Sequence, residues 1–165
     1  MAKDFSFDIT SDFDHQELVN AIDQAQREIG TRYDFKGSDA DIKEEGKDTL
    51  IVNVEDDYKL GAVIDILQSK MIKRNLSLKI LDLSKQAENA AGGTLRKNIP
   101  LKRGLKQEDA KAITKKIREN YPKVKATIQG EEIRVSSTKK DELQGVMTLL
   151  KEADFDFPLQ FGNYR

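Results

Sequence analysis

The chain contains 165 residues, of which 38% are hydrophobic and 35% are charged. Globular domains average about 25% charged residues, so this composition favours two small domains over one domain with a thick core. The absence of cysteine excludes disulfides, thiolate nucleophiles and cysteine-ligated metal centres. MAKDFSFDIT is charged where a secretory signal needs an apolar run, and no stretch approaches the ~18 apolar residues of a membrane span. We therefore expect a cytoplasmic protein with no membrane partner.

The net charge of −1 conceals an uneven distribution along the chain. Residues 1–60 contain 7 Lys and Arg against 16 Asp and Glu, whereas residues 61–165 contain 21 against 13. Eleven of these cations lie within residues 93–125, beside three acidic residues. Such a segment is typical of an ordinary solvated surface and also of a surface that attracts a polyanion such as RNA. The charge pattern alone leaves both interpretations open.

The N-terminal half is expected to alternate strands with two helices. The first helix begins at an N-cap, Asp14, and stops at Gly30, and the second begins at a cap formed by Asp57. Apolar residues recur at helical spacing in the second helix, at Leu60, Ile64, Leu67 and Met71. Period-2 alternation predicts strands at residues 5–10, 32–36, 41–45, 49–54 and 76–80.

The C-terminal half repeats this order after SKQAENAAGG, residues 84–93. That stretch lacks any apolar period and is predicted to be a linker where the domain changes. After it we expect a strand at 95–101, in which Lys97 interrupts the alternation of apolar residues, and a helix at 107–120. A hairpin that turns at Gln129–Gly130 should follow. The last elements are a helix capped by Thr138 with Asp141 and a short final strand in FDFPLQFGNYR.

The order strand, helix, strand, strand, helix, strand therefore occurs twice, over roughly residues 1–84 and 94–165. A hairpin between two helical crossovers is the split βαβ arrangement, which gives an antiparallel sheet with both helices on one face. The predicted class is thus α+β with two such domains. The other face of each sheet is left free, and RNA-recognition modules stack bases on aromatic side chains of that face.

The sequence offers little for catalysis. The only histidine, His15, lies in the first turn of the first helix, with no obvious serine partner in sequence. The string GSDADIKEEGKD lacks the glycine spacing and the Ser or Thr of a phosphate-binding loop. Acidic clusters at 39–41 and 55–57 lie beside turns or act as helix caps. We predict a binding protein that is not an enzyme and that has no metal or cofactor.

Two stretches combine cations with strand-forming residues and glycines, namely TRYDFKG (31–37) and GGTLRKNIPLKRGLK (92–106). Alternation does not fix the direction of Tyr33 and Phe35, which either pack in the core or form a stacking platform. Cations on the outer side of either stretch are suited to phosphate contacts. The candidate nucleotide-binding residues are Arg32, Tyr33, Phe35, Lys36, Gly37, Arg96, Lys97, Lys102, Arg103 and Gly104.

Four strings in their order along the chain resemble the YajQ family of bacterial nucleotide-binding proteins: MAKDFSFDITSDFD, TRYDFKG, LRKNIPLKRGL and LQFGNYR. The resemblance spans the whole chain and implies two ferredoxin-like domains that exchange their N-terminal strands. It implies a first domain of residues 11–101, completed by a strand at 95–101. The second would consist of residues 1–10 and 102–165, completed by the strand at 5–10.

The resemblance also implies a non-catalytic function. Nucleotides, cyclic diguanylate and RNA, including transfer RNA, are the ligands it suggests, and it transfers no ligand-contacting residues. The alternative from another class is an adaptor or regulator whose basic segment binds an acidic protein partner, for instance in transcription regulation. Nucleic-acid affinity that falls steeply with salt would favour the first interpretation, because phosphate contacts release counterions.

Overall fold

The computed structural model describes residues 4–165 and divides the chain into two compact units. We call Phe13–Lys102 the middle unit, and Met1–Asp12 together with Arg103–Arg165 the terminal unit. In chain order the elements are β1 (Phe5–Thr10), α1 (His15–Thr31), β2 (Asp41–Glu45), β3 (Thr49–Val54), α2 (Asp57–Lys73), β4 (Glu88–Asn89), β5 (Leu95–Pro100), α3 (Gln107–Asn120), β6 (Lys125–Gln129), β7 (Glu132–Ser137), α4 (Lys140–Glu152) and β8 (Gln160–Gly162).

The sheet of the middle unit has the strand order β2-β3-β5-β4, and all its pairings are antiparallel. Leu50, Val52 and Ile99 point to the face that α1 and α2 cover, and all three are fully buried. The two helices run antiparallel, since Arg74 at the end of α2 contacts Glu17 at the start of α1.

The sheet of the terminal unit has the order β6-β7-β1-β8, again antiparallel throughout. Phe7 and Ile9 of β1 pair with Val135 and Ile133 of β7, and these four side chains are fully buried against α3 and α4. Both units thus have an antiparallel sheet with helices on one face, which confirms the predicted α+β class with ferredoxin-like units.

Helix α1 begins where the sequence predicts, because the Asp14 carboxylate accepts hydrogen bonds from the backbone N–H groups of Gln16 and Glu17. Helix α2 begins one residue away from the prediction. Its N-cap is Asp56, whose carboxylate accepts from the N–H of Lys59 at 2.8 Å, and Asp57 is the first helical residue. The buried face of α2 is also shifted, with Val63, Ile66, Leu67 and Met71 inside.

The predicted cap of α4 is wrong. No side-chain hydrogen bond is made at its N-cap residue, Lys139. The hydroxyl of Ser137, at the end of β7, accepts the Lys139 N–H at 3.0 Å instead of the hydroxyl of Thr138. The predicted bounds of β2, β3 and α3 agree with the structure residue for residue.

Two predicted strands are single 3₁₀ turns. Tyr33–Phe35 replaces the strand at 32–36, and Leu78–Ile80 replaces the strand at 76–80. A 3₁₀ turn rotates about 120° per residue, so residues two apart no longer share a face. Only one side chain of each stretch is buried as a result, Phe35 in the first and Ile80 in the second.

The predicted linker at 84–93 is part of the middle unit. It contains β4, which pairs with β5, and the connection between the two strands is closed by a hydrogen bond from the Ala90 N–H to the Thr94 carbonyl at 2.8 Å. Gly92 and Gly93 both have φ near +77°, which glycine adopts at little cost. The polar composition of this stretch therefore reflects an exposed hairpin and not a boundary between units.

No helix in the described part of the chain is long and apolar enough to cross a lipid bilayer.

Replacing Asp56 with alanine is expected to lower the free energy of unfolding by about 1 kcal/mol, because the N–H of Lys59 loses its capping partner. The matched variant Asp57→Ala removes a carboxylate of the same charge that is not the cap, and we expect a loss of a few tenths of a kcal/mol. Urea denaturation of both variants measures the difference. Equal losses would contradict the assignment of the cap.

Candidate functional site

The ten residues selected from the sequence lie in both units. Arg103 and Gly104 belong to the terminal unit, and the other eight belong to the middle unit. Residues 32–37 form one continuous corner after the end of α1, which we call the Tyr33 corner. It consists of consecutive turns, with hydrogen bonds from the Phe35 N–H to the Arg32 carbonyl and from the Lys36 N–H to the Tyr33 carbonyl, both at 3.1 Å.

The Tyr33 corner places its two aromatic residues on opposite sides. Phe35 is 4% exposed and packs in the core of the middle unit, whereas Tyr33 is 90% exposed. Phe35 is therefore a core residue, whereas Tyr33 is an exposed ring. The expectation that the two rings share one side of a strand is wrong, because the backbone here is a 3₁₀ turn.

Arg32 holds the corner in place. Its Nε and a terminal nitrogen donate to the two carboxylate oxygens of Asp34 at 2.9 and 2.8 Å, which is a bidentate ion pair. Its guanidinium carbon also lies 5.6 Å from the centre of the Phe35 ring. The hydrogen bonds from Arg32 lower the pKa of Asp34, so the carboxylate stays ionised. The structure thus gives Arg32 a local partner, and the exposed cation of the corner is Lys36.

A second carboxylate anchors the chain just after the corner. Glu55, at the end of β3, accepts hydrogen bonds from the Ser38 hydroxyl at 2.9 and 2.8 Å and from the Asp39 N–H at 2.8 Å, and Lys59 lies 3.0 Å away. Burial raises the pKa of Glu55, but these hydrogen bonds outweigh it and lower the pKa to about 2. The corner is therefore fixed to the sheet at this point.

A second exposed tyrosine contacts the corner through Asp34. Tyr58, in the first turn of α2, is 68% exposed and donates its hydroxyl to Asp34 at 3.4 Å. Sequence reasoning missed Tyr58, although its position just after the Asp56–Asp57 cap already placed it at the start of a helix. The corner thus presents the Tyr33 ring, the Lys36 ammonium and Gly37, with the exposed Tyr58 in contact at Asp34. The φ of Gly37 is +75°, and a side chain placed there would begin with no other atom within 4 Å.

The two cations of β5 have different environments. Arg96 lies on the free face of the sheet with its side chain 47% exposed, 3.8 Å from Glu45. Lys97 points to the opposite face, is 8% exposed, and donates from Nζ to the carbonyls of Leu83 and Lys85. Its ammonium is therefore already coordinated by the backbone, and we do not keep Lys97 among the ligand contacts.

The remaining three candidates follow β5, and each has a different environment. Lys102 follows β5, is partly buried and donates its backbone N–H to the Ile80 carbonyl at 2.8 Å. Arg103 forms an ion pair with Asp12 at 2.9 Å. Gly104, with φ of +81°, lies where a side chain would meet the Glu131 carboxylate. Together with Glu132, these carboxylates make the cleft of about 230 Å³ around Arg103 predominantly acidic, which disfavours a phosphate there.

The free faces of the two sheets lack the aromatic residues of RNA-recognition modules, as far as residues 4–165 show. In the middle unit the paired positions on this face are Asp41, Lys43, Glu45, Thr49, Ile51, Asn53, Arg96, Asn98 and Pro100. In the terminal unit, Asp8 lies at the centre of this face and is 8% exposed. Its carboxylate accepts hydrogen bonds from the Arg134 guanidinium at 3.2 Å and from the Asn163 amide at 2.7 Å. Base stacking on these sheets is therefore not available.

His15 and the acidic clusters offer no catalytic arrangement. The ring of His15 contacts Glu44 at 3.1 Å, so this histidine has a structural partner across the middle unit. Among the residues that the structure describes, no group of three or more His, Asp or Glu is arranged to hold a metal ion.

Comparison with known proteins gives a consistent result. The family model described as "Nucleotide-binding protein YajQ-like" matches residues 5–165. A "Nucleotide-binding protein" of Trichodesmium erythraeum is 54% identical over 165 residues, which is 100% of both chains. Proteins with the same name from Heliobacterium modesticaldum and from a Nocardioides species are 47% and 48% identical, and the match covers 98% or more of each chain. The similarity thus extends over both units.

The two aromatic residues of the Tyr33 corner should respond oppositely to truncation. Phe35→Ala is expected to lower the free energy of unfolding by about 3–5 kcal/mol, because it leaves a cavity in the core of the middle unit. Tyr33→Ala should change it by less than about 0.5 kcal/mol, since the ring is exposed. Chemical denaturation of the two variants measures both changes. A large loss of unfolding free energy for Tyr33→Ala would place its ring in the core.

The Glu55 anchor predicts a specific pH dependence. A folded pKa of about 2 against an ordinary 4.5 means that ionised Glu55 stabilises the fold fully above pH 4.5. This contribution is lost as the pH falls from 4.5 through about 2. Glu55→Gln should therefore destabilise the protein by about 1–3 kcal/mol at pH 7 and by much less at pH 2.5. Urea denaturation of both proteins at the two pH values measures this, and a pH-independent difference would contradict it.

Proposed function

This chain belongs to the YajQ-like family of nucleotide-binding proteins, and we propose on that basis that it binds nucleotides without turning them over. The observation that carries the proposal is the Tyr33 ring, 90% exposed on a backbone turn whose neighbouring residues are buried or hydrogen-bonded. Every nucleobase has a π face, so an exposed aromatic ring is a general platform for base stacking.

The anchoring of the corner supports this function. Phe35 is buried below the turn, Arg32 and Asp34 form a bidentate pair, and Glu55 fixes the residues that follow. A backbone that is already anchored loses little conformational freedom when a base stacks on the ring it carries. Tyr58, which is also exposed, contacts Asp34 of the corner through its hydroxyl.

Phosphate contacts complete the proposed site. The Lys36 ammonium of the corner is exposed and forms no ion pair among the described contacts, and a lysine of this kind acts on phosphate as a point charge. Gly37 leaves its backbone open to a ligand. Arg96 lies on the free face of the sheet of the same unit, 3.8 Å from Glu45, and is the second phosphate contact of the proposal.

An open corner favours one class of nucleotide. The Tyr33 ring is accessible from most directions and lies in no described cleft, which suits successive bases of a strand better than an enclosed mononucleotide. We therefore assign single-stranded RNA as the ligand of the corner, with cyclic diguanylate and transfer RNA as further ligands to be compared. The sites outside this corner, Lys97, Lys102, Arg103 and Gly104, are not part of the proposal.

Tyr33→Ala is expected to weaken binding of a fluorescein-labelled ten-nucleotide RNA by about tenfold to a hundredfold, since one stacked base contributes about 1–3 kcal/mol. Tyr33→Phe keeps the π face and should bind like the original protein. Fluorescence anisotropy at low and moderate salt gives the affinities, and a melting curve establishes that both variants are folded. Lys36→Gln should reduce the salt dependence of binding.

Two results would overturn this proposal. If Tyr33→Ala binds RNA as tightly as the original protein, the corner is not the site. If neither RNA nor cyclic diguanylate binds saturably, the adaptor interpretation becomes the better one. The outer face of α3 would then be its contact surface, because Lys111, Lys115 and Arg118 are exposed there and could meet an acidic protein.

A further inference from the structure

The terminal unit contains a cleft that is lined mainly by aromatic and apolar side chains. It has a volume of about 330 Å³ and lies between β1, the first half of α4 and the last two residues of the chain. Backbone hydrogen bonds between Ser6 and Arg165, at 3.2 and 3.0 Å, hold the last segment against β1. Its most informative lining residues are Phe5, Phe7, Lys140, Gln144, Met147 and Tyr164, and we call it the Tyr164 cleft.

The walls of the Tyr164 cleft are aromatic and apolar. The rings of Phe7 and Tyr164 lie 6.3 Å apart between centres at a mutual angle of 34°. The Tyr164 hydroxyl donates to the Phe161 carbonyl at 3.3 Å and contacts the Met147 sulfur at 3.8 Å, while 63% of the residue is exposed. One end of the ring is therefore fixed, and the rest is available to a planar ligand.

Cationic and polar groups lie at the rim of the same cleft. The Lys140 ammonium lies 5.8 Å from the centre of the Phe5 ring, and it forms no ion pair among the contacts of the described residues. Gln144 lies one helical turn further along α4, and Arg165 lines the opposite side. Asp141 also lines the cleft, so its charged side chains are two cations and one carboxylate. An apolar, aromatic cavity with a few polar groups at its rim is the usual composition of a small-molecule site, and the volume is within the usual range.

From this arrangement we propose that the Tyr164 cleft is a second nucleotide site, separate from the Tyr33 corner, that takes a single nucleotide with its 5′-phosphate. The base lies against Phe5, Tyr164 and Met147, the Gln144 amide contacts the base edge, and Lys140 with Arg165 binds the phosphate. The choice of nucleotide as the ligand class rests on the proposed function, whereas the position of the site rests on the cleft. The cleft around Arg103 is the poorer candidate, because three carboxylates and one cation line it, whereas two cations and one carboxylate line the Tyr164 cleft.

NMR of the methionine methyl groups can detect a ligand bound in this cleft. The chain has three methionines. Met147 lines the cleft, and Met71 is fully buried in the middle unit and serves as an internal control. In the full-length protein labelled with ¹³C-methyl methionine, addition of AMP or GMP should shift the Met147 methyl resonance saturably, through the ring current of the bound base, and leave Met71 unchanged.

Two substitutions on α4 form a matched pair for the phosphate contact. Lys140 and Lys151 each place their ammonium 5.8 Å from the centre of a phenylalanine ring, but only Lys140 lines the cleft. Lys140→Gln should weaken the response of Met147 to AMP by about fivefold in Kd, as for an exposed ion pair, and Lys151→Gln should not change it. Tyr164→Ala, at an exposed position, should abolish the saturable shift.

The outcomes separate this inference from the proposed function. A Met147 resonance that does not respond to AMP or GMP at millimolar concentration overturns the site. Equal responses to adenosine and AMP, unaffected by Lys140→Gln, overturn its assignment to a nucleotide. Tyr33→Ala should leave the Met147 response unchanged, and loss of that response would show one shared site. If Tyr33 proves dispensable for RNA while Met147 responds to AMP, the corner fails and the cleft stands.

Discussion

Strand β1 lies inside the terminal sheet, and that sheet depends on it. Its residues hydrogen-bond to β7 on one side and to β8 on the other, and its inward side chains, Phe7 and Ile9, are fully buried. On the free face the Asp8 carboxylate accepts from Asn163 and from Arg134. The Asn163 hydrogen bond lowers the pKa of Asp8 despite its burial, and Arg134 lowers it further. One short strand thus joins the two ends of the chain, and it also forms a wall of the Tyr164 cleft.

The positions of the proposed sites follow from how the sheets are covered. Each sheet uses one face for the core, and the free face carries short polar or charged residues whose partners are mostly on neighbouring strands. Among residues 4–165, the exposed aromatic rings lie away from these faces, at Tyr33 in a turn, at Tyr58 in the first turn of α2 and at Tyr164 near the end of the chain. Ligand recognition in this chain is therefore expected from corners and clefts, where loop geometry sets the accessible groups.

The sequence predicted elements well where a single periodicity acts over a whole segment. The strand at 49–54 and the helix at 107–120 agree with the structure at both ends, because alternation or an amphipathic stripe continues up to a turn residue or a proline. The strand predicted at residues 32–36 was wrong, because aromatic residues two positions apart occur in a strand and in a 3₁₀ turn alike. For Asp56 and Asp57, cap chemistry alone does not decide between neighbours. The Tyr164 cleft had no local signal, since Phe5 and Tyr164 lie at opposite ends of the sequence.

The interior position of β1 also has a consequence for biosynthesis. The middle unit is complete once Lys102 has been made, whereas β1 finds its first partner only when β7, at Glu132–Ser137, has left the ribosome. More than a hundred residues separate β1 from β7, so at typical rates of about 5–20 residues per second β1 waits on the order of ten seconds for this partner. During that time a strand with Phe5, Phe7 and Ile9 in alternation has both edges unpaired, which makes it prone to association with other nascent chains. The charged residues that flank it, Asp4 and Asp12 among them, are placed to oppose such contacts.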